Sequence, residues 1–125
     1  QITINSGASQ LISFSDISVN NNLTTTATTA TIATPGFYRI SATMCVNYGE
    51  NDPLQFTIDI NGTSTKDFAE ISDMKNRTST ANIETIVSLA ATDIVELRAY
   101  ATGGNNLVID VKKISMSINR ILVNT

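Results

Sequence analysis

Apolar and polar residues alternate along most of this chain with a period of two. That is the mark of strands that bury one face. The longest such run follows the Pro35-Gly36 turn. In it Tyr38, Ile40, Ala42, Met44, Val46 and Tyr48 alternate with Phe37, Arg39, Ser41, Thr43, Cys45 and Asn47. A helix would scatter the first set around its circumference. Apart from Phe37 the second face is small and polar, and its single charge is Arg39. A strand with one dry face and one merely semi-polar face touches protein on both sides. We read it as the central strand of a β-sandwich.

The same period recurs before and after it. Ile2 and Ile4, then Leu11 to Phe14, read as two short strands with Ile12 and Phe14 inward; the alternative is a flexible terminal segment over residues 1–9. Asn20-Asn21-Asn22 reads as a turn. The Thr-rich run to Thr34 reads as an outer, edge-like strand with Ala30 and Ile32 inward, or else a solvated loop. Leu54, Phe56, Ile58 and Ile60 alternate with Gln55, Thr57 and Asp59, and end in Asn61-Gly62, a strong hairpin signal. Residues 63–80 read as a return strand followed by an exposed loop through Asn76. Ile83, Thr85, Val87 and Leu89 form the next inward row, a tight turn follows at Ala91-Thr92-Asp93, and Val95, Leu97, Ala99 and Ala101 form another. Leu107 to Val123 is too long for one ordinary strand, so a bulge or break is expected near Lys112-Lys113. Eight or so strands and no convincing helix define an all-β sandwich or jelly roll.

Composition narrows the class. The 125 residues fit one domain. The chain is 42% hydrophobic and only 15% charged, where about a quarter is usual. Such a surface suits an extracellular or particle-surface protein, or a subunit interface. The net charge of −3 and the scattered Lys and Arg argue against a nucleic-acid footprint. No apolar run is long enough to span a membrane as a helix. The single Cys45 forms no intrachain disulfide and reads as a small packing residue. A chain opening on Gln1 reads as a processed form or fragment.

The chemistry is thin. Without His, the Ser-His-Asp and Cys-His designs and most zinc sites are closed. Paired carboxylates are conceivable among Asp59, Asp67, Glu70 and Asp73. The last three lie in a charged stretch where a solvated face is the default. Glu50-Asn51-Asp52, with Asp73, offers oxygen ligands for calcium but lacks calcium-loop spacing. No enzyme, metal or cofactor is expected. Asn22, Asn61 and Asn76 stand in glycosylation sequons that chance explains in a chain this rich in Asn and Thr.

The order of motifs adds more than any one of them. Ile12-Ser13-Phe14 is followed by Gly36-Phe37-Tyr38-Arg39-Ile40, then Ile60-Asn61-Gly62, then Val87-Ser88-Leu89 turning into Asp93-Ile94-Val95-Glu96-Leu97, and last Ser115-Met116-Ser117-Ile118. This set resembles the superfamily of tumour necrosis factor and the complement one-q globular head. It is most similar to the bacterial branch, the C-terminal heads of collagen-like spore-surface glycoproteins and of phage fibres. Two departures stand out: Thr92 replaces the usual Gly, and the closing strand lacks the aromatic of animal members.

The resemblance implies a jelly roll of about ten antiparallel strands that assembles as a compact homotrimer. It puts the strands over 36–48, 83–89 and 114–123 in the inner sheet near the three-fold axis. Arg39, Ser41, Thr43, Glu84, Ile86, Ser117, Asn119 and Ile121 would then face the neighbouring subunits, with Arg39 and Glu84 paired. Ligand-facing loops are expected at Gly49–Pro53, Asp73–Asn82 and Thr102–Asn106, with Glu50, Asn51, Asp52, Lys75, Asn76, Arg77, Asn105 and Asn106 as candidate contacts. The implied role is adhesion to a cell-surface carbohydrate or protein receptor from a spore or virion surface. The alternatives are purely structural trimerisation and a soluble signalling ligand.

Overall fold

A computed structural model describes residues 2–13, 16–19, 23–48, 52–71 and 77–121. The strands are β1 (Ile2–Ile4), β2 (Ser9–Leu11), β3 (Asp16–Val19), β4 (Thr24–Thr25), β5 (Ala30–Thr31), β6 (Gly36–Tyr48), β7 (Leu54–Ile60), β8 (Thr63–Ile71), β9 (Arg77–Leu89), β10 (Ile94–Ala101) and β11 (Leu107–Ile121). They form two sheets. Sheet I runs β1-β11-β6-β9, with β3 also on β11. Sheet II runs β4-β5-β10-β7-β8, with β2 also on β10. Every pairing is antiparallel except β3 with β11.

The alternating apolar rows meet between the sheets. Sheet I contributes Tyr38, Ile40, Met44, Val46, Ile114 and Ile118; sheet II contributes Leu54, Phe56, Ile58, Val95, Leu97 and Ala99. All are fully buried, and at about 25 cal/mol per Å² of apolar area this burial is what holds the sandwich shut. β6 is central, flanked by β11 and β9 along its whole length. Its two tyrosines close it at both ends. The Tyr38 hydroxyl donates to the Thr34 carbonyl at 2.6 Å, and the Tyr48 hydroxyl lies 2.9 and 3.0 Å from the Asp52 and Ile71 carbonyls. At Gly36 the Arg120 guanidinium lies against the backbone, and a Cβ there would stand 2.6 Å from Arg120 Nε and push it aside.

Several expectations are met in detail. The register of β11 on β6 slips between Val111 and Lys113, leaving Lys112 as the extra residue. The long closing run therefore stays one strand by taking up a bulge. Ile12, Ala30 and Ile32 are buried. Residues 2–4, which a frayed terminus would leave unpaired, register against Leu107–Ile109. The Thr-rich run is a short hairpin, β4 and β5, at one edge of sheet II. Phe14, Asn20–Asn22 and the 72–76 loop lie outside the described residues.

Two expectations are corrected. The second half of the expected Asp73–Asn82 loop is strand, because Arg77–Asn82 belong to β9 and pair with Tyr48–Thr43 of β6. Thr78, Thr80 and Asn82 are exposed, and a strand whose outward row is Thr, Thr and Asn resembles a loop in composition. Cys45 is only half-buried, since its parity puts it on the outward face of sheet I and not in the core.

Candidate functional site

The outward face of sheet I is built from three strands in full register. Across β11, β6 and β9 the rows are Ile121–Phe37–Ser88, Asn119–Arg39–Ile86, Ser117–Ser41–Glu84, Ser115–Thr43–Asn82 and Lys113–Cys45–Thr80. The period-two parity that buries Tyr38, Ile40 and Met44 necessarily turns these side chains the other way. The eight expected face residues, Arg39, Ser41, Thr43, Glu84, Ile86, Ser117, Asn119 and Ile121, therefore share one surface.

That surface is graded. At the Gly36 end it is apolar: Phe37 is 51% exposed, Ile86 is 57% exposed, and Ile121 is half-buried beside Phe37. Arg39 and Glu84 sit diagonally across β6 and β9, with Nε to Oε1 3.7 Å apart. Both side chains are more than half exposed, so the pair contributes little to the single chain. Further along, the Thr43 hydroxyl donates to Asn82 Oδ1 at 2.8 Å, and Asn119 Nδ2 donates to the Ser117 hydroxyl at 2.8 Å. Phe37 and Asn82 were not among the candidate site residues. The parity of β6 points to Phe37; only the extra length of β9 reveals Asn82.

The residues that flank the loop candidates gather at the opposite end. The registers of Tyr48, Leu54, Ile71, Arg77, Ala101 and Leu107 place these six strand-end residues there. Asp52 Oδ2 accepts the Asn105 N–H at 2.8 Å, and Gly103 lies too close to Asp52 for any Cβ. Asn106 Oδ1 accepts the Ser6 N–H at 2.8 Å, while the Ser6 hydroxyl donates to the Gly103 carbonyl at 2.9 Å. Asp52, Asn105 and Asn106 thus tie the loops to each other. Arg77 is a β9 residue opposite Tyr48. Glu50, Asn51, Lys75 and Asn76 lie outside the described residues.

The carboxylates do not assemble a catalytic pair. Asp59 is buried on the outward side of sheet II, where its Oδ1 accepts from Thr57 Oγ1 at 2.8 Å and its Oδ2 lies 3.5 Å from Arg98 Nε. Asp67 and Glu70 are exposed on β8, and Asp73 lies outside the described residues. Among the described residues no group of His, Cys, Asp or Glu could hold a metal ion, and no helix could cross a membrane.

The two-sheet order, the hairpins and the long central strand define a jelly roll of the tumour necrosis factor and complement one-q type. Solved structures with this fold include Eiger TNF from S. frugiperda, at TM-score 0.62 and 12% identity over 82% of this chain and 71% of that one. The globular domain of the zebrafish complement 1qA protein aligns at TM-score 0.57 and 10% identity, over 98% of this chain and 97% of that one. Murine APRIL aligns at TM-score 0.55 and 12% identity, over 74% and 78%. No family model and no curated protein sequence matches the chain. The shared property is the fold.

Proposed function

We propose that this domain is a non-enzymatic trimerising head, carried on a surface filament such as a spore-surface collagen-like glycoprotein or a phage fibre, and that it serves adhesion or receptor binding. One observation carries the reading: Phe37 and Ile86 are each more than half exposed on the same graded face. Large apolar side chains grouped on one outward sheet face mark an association surface. A second copy covering them would also desolvate the Arg39–Glu84 pair, which is useful only if the two stay paired. Three copies would then present three sets of the 49–53 and 102–106 loops, and avidity would amplify weak contacts with a carbohydrate or protein receptor. The fold shared with Eiger TNF supports a second reading, a secreted signalling ligand of that type.

The test pairs assembly with binding. Wild-type protein and a Phe37→Ser, Ile86→Ser variant are compared by mass in solution and on glycan and cell-surface arrays. Adhesion predicts that binding of the wild type falls together with assembly. Assembly without binding to any surface would leave only structural trimerisation. Activation of a receptor on animal cells would favour signalling.

A further inference from the structure

Asn61 and Gly62 turn β7 into β8 with positive φ at both positions, 52° and 81°. The Asn61 side chain is held at both of its polar atoms. Its Nδ2 donates to Asp93 Oδ1 at 2.9 Å, and its Oδ1 accepts the Ile94 N–H at 2.9 Å. The other Asp93 oxygen accepts the Ala90 N–H at 2.8 Å. One amide and one carboxylate therefore latch the β7–β8 hairpin to the turn entering β10. Asn61-Gly62 is also the only Asn-Gly pair in the chain. Both residues are exposed, and a Cβ at Gly62 would meet nothing, so the tip of the turn is open on the glycine's side-chain side.

We propose that Asn61 is a self-modification site that makes opening of this latch irreversible: once the hairpin opens, the Gly62 main-chain nitrogen attacks Asn61 Cγ, and the acid that results cannot rejoin Asp93. The attack forms an N–Cγ bond and closes a succinimide ring. The Cγ–Nδ2 bond breaks, and the amide nitrogen leaves as ammonia with the proton from the Gly62 N–H. Water then opens the imide, giving aspartate or isoaspartate at position 61. In the closed latch the two hydrogen bonds on the amide hold Cγ away from this attack, so only the open fraction reacts.

The product is mismatched by charge. A carboxylate replaces the N–H donor that faced Asp93. The Ala90 N–H and the Asn61 amide hold the Asp93 carboxyl below its ordinary value of 3.8; conversion removes the second of these donors and sets another acid against Asp93. Nearby charges give no relief: Asp59 is paired with Arg98, Glu96 stands in register with Asp59, Lys66 lies in the β8 bulge, and among the described residues no cation is paired with Asp93. The Asn61-Gly62-Thr63 sequon gains a second meaning, since Nδ2 is committed to Asp93 in the folded chain.

The test compares intact folded protein with the same protein in concentrated urea at mildly alkaline pH, following amide-to-acid conversion at residue 61 by peptide mass mapping. Conversion is expected to be at least about tenfold slower in the folded protein, because it tracks the open population. The variant Asn61→Asp should melt lower than wild type at neutral pH, with the deficit shrinking as pH falls and one carboxyl protonates. The exchange variant Asn61→Asp, Asp93→Asn keeps every donor–acceptor match with the roles reversed, so it should regain most of the lost melting temperature. Equal conversion rates folded and unfolded, or an exchange variant no more stable than Asn61→Asp alone, would overturn the proposal. The site lies off the sheet I face, so neither result bears on trimerisation.

Discussion

At the scale of single residues, the turn from β9 to β10 shows how one backbone angle substitutes for a missing glycine. Thr92 sits at φ 74°, a conformation that costs a β-branched residue about 1–2 kcal/mol. It is held there because the Thr92 N–H donates to the Ile32 carbonyl at 2.7 Å while the Ile32 N–H donates back to Asp93 O at 2.8 Å. Thr92→Gly should therefore raise stability by about 0.5–1 kcal/mol, strain relief exceeding the extra chain entropy of Gly. Thermal melting checks it. Asp93 acts beside it through pH. Its folded carboxyl titrates below 3.8, so its stabilisation is complete above the ordinary carboxylate range and is lost as pH falls through the folded value. Asp93→Ala should lower the melting temperature at neutral pH and flatten the acid limb of the stability profile. Tyr38→Phe should cost about 1 kcal/mol by orphaning the Thr34 carbonyl.

At the scale of elements, the strands were legible wherever one face is buried. Tyr38 to Tyr48 and Leu54 to Ile60 alternate cleanly because only one side of each faces the apolar core, although the other side of β7 also buries the polar Thr57 and Asp59. The bulge at Lys112 was legible too, because the closing run is longer than an ordinary strand and breaks its alternation at Lys112-Lys113. Two other features were not. The first residues of β9 have an outward row of polar side chains, and polarity alone does not separate a strand face from a loop. The bulge in β8, where Lys66 takes φ 71° and the Thr65 hydroxyl bonds the Ile58 carbonyl at 2.9 Å, leaves no mark in the hydrophobic pattern. Core truncation tests the packing that alternation predicts. Leu97→Ala, at a fully buried β10 site, should cost about 2–5 kcal/mol. Phe37→Ser, half exposed, should change the stability of the isolated chain by less than about 0.5 kcal/mol.

At the scale of the whole molecule, the face of sheet I follows from parity, but the partner that would cover it does not. Periodicity gives the direction of Arg39, Ser41 and Thr43; nothing within one chain supplies the surface opposite them. The physical sign of that missing surface is the contrast between Phe37 and Ile86, exposed, and the rows of Ser and Thr beyond them, small enough for close approach. If copies assemble here, the Arg39–Glu84 pair loses its water. Arg39→Ala and Glu84→Ala should then each weaken assembly, and a double-mutant cycle should show coupling of about 0.5–3 kcal/mol that the isolated chain lacks. The most direct measurement is the mass in solution over a range of concentrations, by sedimentation or light scattering. The account predicts a species about three times the 13.4 kDa of one chain, reduced to the single chain by Phe37→Ser with Ile86→Ser. A wild-type protein that stays at 13.4 kDa at every concentration would contradict it.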